Sequence, residues 1–269
     1  MTTLPRATLD LGVIDAVVLD TDGVITDTAR THAAAWKRAF DELLRDQGRR
    51  AGTSLPPFDV ETDYPRFVDG RSREDGARGF LDSRGIVLPE PGREGRGEGI
   101  ETLESLLGRK NRYFLDEVRE HGVRAFPSTV ALLRELRDRG AGIAAVSASR
   151  NCGPVLRAAG VDVLVDVRVD GLDAERSGLP GKPDPALFLE AARRLGVAPG
   201  RCALVEDAVV GIEAGRRGGF GLMIAVDRRG GLRREMVDGG AHVVVGDLAD
   251  LTVVGRHLGR RDGTRQPGV

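Results

Sequence analysis

From Phe126 onward the chain alternates between short apolar runs of strand length and amphipathic stretches of helical period. The runs Gly142–Val146, Val163–Val169, Cys202–Val205, Leu222–Val226 and Val243–Val245 are apolar at nearly consecutive positions, as in strands buried on both faces. Helices fall between them. One is opened by Ser128 and carries Val130, Leu133 and Leu136; another has Asp184 as N-cap, Pro185 at its first position and Gly196 just past its end. Such alternation predicts an α/β fold built on a doubly wound parallel sheet. One more strand, Ala16–Leu19, stands apart near the N-terminus, and the intervening segment 28–124 is helical in pattern. There Ala33, Trp36, Phe40, Leu43 and Leu44 recur at helical spacing behind an Asp27 N-cap as far as Asp46, and Ser72 to Asp75 resembles a capping box. Leu103, Leu106, Leu107, Tyr113, Phe114 and Val118 mark a further helix over Thr102–Glu120. The expected organisation is a core of residues 1–27 and 125–269 with a helical cap, 28–124, inserted after the first strand.

Composition narrows the choice of partners. Forty basic residues against forty-one acidic leave a net charge of −1, so nothing favours nucleic acid. No apolar run approaches the roughly 20 residues that span a bilayer, and the N-terminus lacks a signal-peptide apolar region. Cys152 and Cys202 lack metal-ligand spacing and are expected as reduced thiols of a cytoplasmic protein, taken here as a monomer. Gln47 to Pro57 and Gly92 to Gly99 have loop composition; the second contains G-x-G but follows no strand, which excludes a dinucleotide fingerprint. The tail from Arg256 is polar and expected to be disordered.

Four polar clusters are expected at one edge of the sheet: Asp20-Thr21-Asp22, Ser147-Ala148-Ser149, Lys182 in the loop before a helix, and Glu206-Asp207. Each alone has a bland reading, as turn or helix-cap chemistry. Together they supply a nucleophilic carboxylate, hydroxyls for a phosphate, a cation and an acidic pair for a metal, which is the inventory of phosphoryl transfer. Lys182 is one of only three lysines in a chain whose other basic residues are all arginine. A compact ammonium can approach a phosphoryl group where a planar guanidinium does not fit.

In this order the motifs Leu19-Asp20-Thr21-Asp22-Gly23-Val24, Val146-Ser147-Ala148-Ser149, Gly181-Lys182-Pro183 and Val205-Glu206-Asp207 resemble the haloacid dehalogenase-like superfamily. The resemblance implies a phosphoaspartyl intermediate on Asp20 with Asp22 as general acid/base. It implies Mg²⁺ on Asp20, the Asp22 backbone carbonyl and Asp207, with Glu206 nearby, and a transferring phosphoryl group bound by Ser147, the Ala148 amide and Lys182. A narrower likeness, to the β-phosphoglucomutase-like branch, is carried by Asp22 to Thr28 with His32 and Trp36, by Gly70 to Asp75, by Arg109-Lys110-Asn111 and by Ser147 to Asn151. It implies that Arg73, Ser149 and Asn151 hold the phosphate that is not transferred, while His32 and Lys110 line the closed site; Thr28, four residues before His32 on the same helix face, is expected to meet the substrate too. A core-packed His32 and a solvated Arg73 are the alternatives, and Trp36 is expected in the cap core. The chain departs from that branch in a longer cap around Arg49 to Tyr64 and Leu88 to Glu101, and in Arg150 and Thr21 where lysine and leucine are usual. The expected activity is interconversion of β-glucose 1-phosphate and glucose 6-phosphate through the 1,6-bisphosphate. A sugar-phosphate phosphatase would share the first half-reaction and differ in admitting water to the phosphoaspartate. An inactive sugar-phosphate-binding module is the remaining alternative.

Overall fold

The structure is a computed structural model that describes residues 7–89 and 101–256. The Gly92 to Gly99 loop and all of the tail beyond Arg256 lie outside the described residues. In chain order the main elements are β1 (Ala7–Asp10), β2 (Ala16–Asp20), α1 (Ala29–Ala51), α2 (Arg73–Ser83), α3 (Leu103–His121), α4 (Pro127–Asp138), β3 (Gly142–Val146), α5 (Cys152–Ala158), β4 (Val167–Val169), α6 (Gly171–Ser177), α7 (Ala186–Leu195), β5 (Cys202–Glu206), α8 (Val209–Arg217), β6 (Leu222–Val226), α9 (Arg233–Gly239), β7 (Val243–Val245) and β8 (Leu251–Val254).

Six strands form one parallel sheet in the order β4-β3-β2-β5-β6-β7. Successive side chains of each strand point to opposite faces, and both faces are covered. Val17, Leu19, Ile143, Ala145, Ala203 and Val205 pack with Leu133 and Leu136 of α4 and Leu156 of α5. Ala16, Val18, Ala144, Val146 and Leu204 pack with Leu187 and Phe188 of α7 and Ile212 of α8. Cys152 and Cys202 belong one to each of these cores, both buried and unbonded. Strand β2 is central, with β3 and β4 added on one side and β5 to β7 on the other. The order therefore reverses beside β2, and its carboxyl end is the crevice where open α/β sheets take their ligands.

Helices α1, α2 and α3 enclose a separate apolar cluster that includes Trp36, Phe40, Phe58, Phe80 and Leu106. Two crossings join this helical segment to the sheet and run side by side: Asp27 N–H donates to the Arg124 carbonyl at 2.9 Å and Phe126 N–H to the Ile25 carbonyl at 3.0 Å. A smaller cluster of Ala35, Phe114 and Val155 presses α1 and α3 onto α5.

Several local expectations need correction. Helix α1 does not stop at Asp46 but continues to Ala51, taking in the start of the supposed loop, and Thr28 rather than Asp27 occupies its N-cap position. Helix α4 starts at Pro127 behind Phe126, so Ser128 is inside it. Helix α7 starts at Ala186, one residue later than expected, while the Asp184 carboxylate still accepts from its Ala186 amide. The run from Val163 yields a strand only at Val167–Val169, because Val163 is exposed and Asp162–Leu164 is a tight turn. Strands β1 and β8, unforeseen, pair in parallel as a small separate sheet.

Candidate active site

Asp20 is the last residue of β2, paired with Val146 of β3, while β5 pairs with β2 on the other side as far as Leu19. Thr21 N–H continues the ladder to the Val146 carbonyl at 2.8 Å. The backbone then turns back on itself: Thr21 accepts from the Ile25 and Thr26 amides, and Gly23 takes a φ of +90°. No side chain fits at Gly23. A Cβ there would lie 1.8 Å from Oδ2 of Asp207, so the Asp207 carboxylate is seated against the peptide that follows Asp22. Gly23→Ala should therefore leave the sheet intact but displace Asp207, and a displacement of about 1 Å at a reacting centre costs on the order of a hundredfold in rate. Turnover measured beside circular dichroism checks this.

Lys182 arrives from the loop before α7 and is almost wholly buried. Its ammonium lies 2.5 Å from Asp20 Oδ1 and also contacts Glu206 Oε1. Asp20 Oδ2 accepts the Asp22 amide at 2.9 Å. Burial disfavours the charge on Lys182, but Asp20 and Glu206 outweigh it and hold the ammonium well above its ordinary value. Burial, opposed by Lys182 and reinforced by Glu206 and Asp22, pushes the Asp20 carboxyl up to about 8. Asp207 is likewise driven well above the usual carboxylate range by burial and then by Glu206, Asp69 and Asp20. Such crowding of carboxyls is what a divalent cation relieves.

Mg²⁺ takes hard oxygen ligands and is commonly bound through one or two carboxylates, the rest being water and phosphate oxygen. Asp20, Asp207 and the Asp22 carbonyl fit that pattern. Among the described residues there is no group of three or more histidine, cysteine or acidic side chains arranged to hold a metal. Glu206, expected near the metal, has both oxygens engaged: one by Lys182, the other by the Ala208 amide at 2.6 Å.

Asp22 is tied from three sides. Thr28 Oγ1 donates to its Oδ1 at 2.5 Å, Ser147 Oγ to its Oδ2 at 2.8 Å, and His32 Nε2 lies 3.3 Å from Oδ1. Burial alone would raise this carboxyl; His32 and the two hydroxyls overturn that and hold it well below the usual range. The Ser147 hydroxyl also accepts the Ser149 amide at 3.0 Å. His32 stacks on Phe114 with ring centroids 4.1 Å apart, and its Nδ1 lies 2.8 Å from Lys110 Nζ. Burial pushes Lys110 down to about 7. His32 is thus both packed and placed at the site, and the two readings of it merge.

Asp20, Asp22, His32, Lys110, Ala148, Ser149, Asn151, Lys182 and Asp207 line one cleft with Arg73 of α2, around about 700 Å³ of space including its mouth. Trp36 belongs to the cap core, as expected, and also reaches the cleft. Asn151 donates from its side-chain amide to Asn111 Oδ1 at 2.8 Å, joining α3 to the sheet edge. Among the described residues Arg73 makes no ion pair. Tyr64, Asp69, Arg71 and Asn111 also line the cleft and were not singled out as site residues, although Arg71 and Asn111 lie within the motifs already quoted.

Residues 14–219 match the haloacid dehalogenase-like hydrolase family. The chain is 41% identical over 244 residues to a β-phosphoglucomutase of Mycobacterium tuberculosis, an alignment covering 88% of this chain and 91% of that one. To the β-phosphoglucomutase of Bacillus subtilis it is 33% identical over 241 residues, covering 88% and 92%. The crystal structure of β-phosphoglucomutase from Clostridium difficile shares the fold, with a TM-score of 0.65 and 24% identity over 87% of this chain and 92% of that one. The chain belongs to the haloacid dehalogenase-like hydrolase family, in its β-phosphoglucomutase-like branch.

Proposed function

We propose that this protein is a Mg²⁺-dependent phosphomutase that interconverts β-glucose 1-phosphate and glucose 6-phosphate through an aspartyl phosphate on Asp20. The observation that carries the reading is one cleft lined both by Lys182, paired with Asp20, and by Arg73 of α2, so that two fixed cations face the same space. A bisphosphate needs a grip at both ends. The bound cation would neutralise oxygens of the transferring phosphate, held by Asp20, Asp207 and the Asp22 carbonyl.

An Asp20 oxygen forms a bond to phosphorus while the phosphorus–oxygen bond to the sugar breaks. Lys182, fixed by Glu206, lies where charge on the transferring oxygens can be stabilised. When a sugar hydroxyl then attacks phosphorus and the Asp20–phosphorus bond breaks, Asp22, ionised by its environment, takes the hydroxyl proton; so protonated, it gives that proton to the sugar oxygen that leaves the next time Asp20 is phosphorylated. Residues 28–124 act as a cap pivoting on the paired crossings at Asp27 and Arg124. Exclusion of water from the phosphoaspartate, which separates a mutase from a phosphatase, is supported by how the cap is seated: Gly70 (φ +69°) lies so close that a Cβ would come within 2.8 Å of Val210 and 2.9 Å of Ala208.

Arg73→Ala tests the two-ended grip. A hydrogen bond from a charged group contributes about 1.5–3 kcal/mol, roughly tenfold to over a hundredfold. Isomerisation of glucose phosphates should fall by that factor. Phosphorylation of Asp20 by acetyl phosphate, which has no second phosphate, should persist. Equal loss in both reactions would assign Arg73 to the fold, and no loss in either would favour a phosphatase.

A further inference from the structure

Tyr64–Val68 forms one wide helical turn, closed by Asp69 N–H donating to the Tyr64 carbonyl at 2.9 Å. Gly70 follows immediately and is pressed against Ala208 and Val210, next to Asp207, so the turn is anchored over the sheet edge. Asp69 and Tyr64 consequently line the cleft that contains Asp20, Lys182 and Arg73. The Asp69 side chain has no hydrogen-bond or ion-pair partner among the described residues. The charged groups that act on it are Glu206, Lys182, Arg229 and Asp22, and burial with Glu206 pushes its carboxyl up to about 6. Asp69 is half-buried, and a carboxylate that faces the cleft without a protein partner is free to accept a hydrogen bond from a bound ligand.

A phosphate does not answer to that description, since a carboxylate repels it. The two phosphate positions of the proposed substrate are also already served by Lys182 and Arg73. What lies between them is the sugar ring, whose only strong donors are hydroxyls. We infer that Asp69 is a specificity-determining residue that accepts a hydrogen bond from one ring hydroxyl of the sugar held between the two phosphate ends. This rests on the phosphomutase reading and adds to it the means by which the cap selects a sugar. Carboxylate repulsion does a second job, steering the phosphate groups to the ends of the cleft and the hydroxyl face of the ring toward Asp69.

The test pairs each of Asp69→Ala and Asp69→Asn with the 2-deoxy, 3-deoxy and 4-deoxy forms of β-glucose 1-phosphate, measuring kcat/KM for every combination. With the intact sugar the alanine variant should lose about tenfold to a hundredfold. With one of the deoxy sugars, and only that one, the penalty should vanish, because the group that Asp69 reads is already missing. Asparagine, which keeps an acceptor oxygen, should lose less than alanine against the same hydroxyl. A penalty of equal size on all the deoxy sugars in both variants, or no penalty on the intact sugar, overturns the inference even when the unmodified protein isomerises glucose phosphates normally. Failure of the unmodified protein to make glucose 6-phosphate would instead overturn the phosphomutase reading itself. Melting temperatures of both variants within a few degrees of the parent identify the losses as substrate effects.

Discussion

Asp20→Asn is expected to abolish turnover while leaving the protein folded. The two side chains are nearly isosteric, and the amide, while weakening the contact with Lys182, also relieves the repulsion of Asp20 by Glu206 and Asp22. Lys182 keeps Glu206 as its partner. What is lost is the carboxylate proposed as nucleophile at the end of the central strand, and loss of a covalent nucleophile costs roughly 10⁴-fold or more. Acid-quenched peptide mass spectrometry should find phosphate on Asp20 in the parent protein and none in the variant. Substantial turnover by a folded Asp20→Asn protein would contradict the phosphoaspartate mechanism.

Asp207→Ala is expected to have the second-largest effect. Asp207 stands against the Asp22–Gly23 peptide, and with Asp20 it supplies the two carboxylates that suit Mg²⁺. Alanine leaves one carboxylate and a carbonyl, too few hard oxygens to hold a cation that dehydrates reluctantly. Activity should drop by about a thousandfold or more, the scale of losing an electrostatic clamp on the transferring group, and added Mg²⁺ should restore little of it. The fold should tolerate the change, because removing Asp207 relieves a carboxyl that burial and three neighbouring acids already disfavour. Full activity of the parent protein in excess chelator would remove the metal from the scheme.

The sheet was legible because its strands are buried on both faces and so appear as apolar runs, and β2, β3, β5, β6 and β7 all lie where those runs fall. Local pattern could not disclose β1 and β8, whose parallel pairing joins the two ends of the described chain, Ala7 opposite Leu251. It also overextended β4, since Val163 is apolar yet exposed. At the site, Asp20, Asp22, Lys182 and Asp207 could be anticipated from the ends of strands and from a rare lysine. The partners of Asp22 could not be assigned by spacing: Ser147 reaches it from a neighbouring strand and His32 from the cap helix. Asp69 and Tyr64 escaped for the same reason. Their place depends on one wide turn and on the docking of Gly70 against α8, and neither leaves a periodic trace in the sequence.

The fate of the phosphoaspartate tests the central claim most directly. Protein incubated with β-glucose 1-phosphate, Mg²⁺ and a trace of the 1,6-bisphosphate should convert the substrate to glucose 6-phosphate with little inorganic phosphate released, the bisphosphate being regenerated at each turn. Stoichiometric release of phosphate and free glucose, with no glucose 6-phosphate formed, would show that water rather than a sugar hydroxyl attacks Asp20 phosphate, and would contradict the assignment as a mutase.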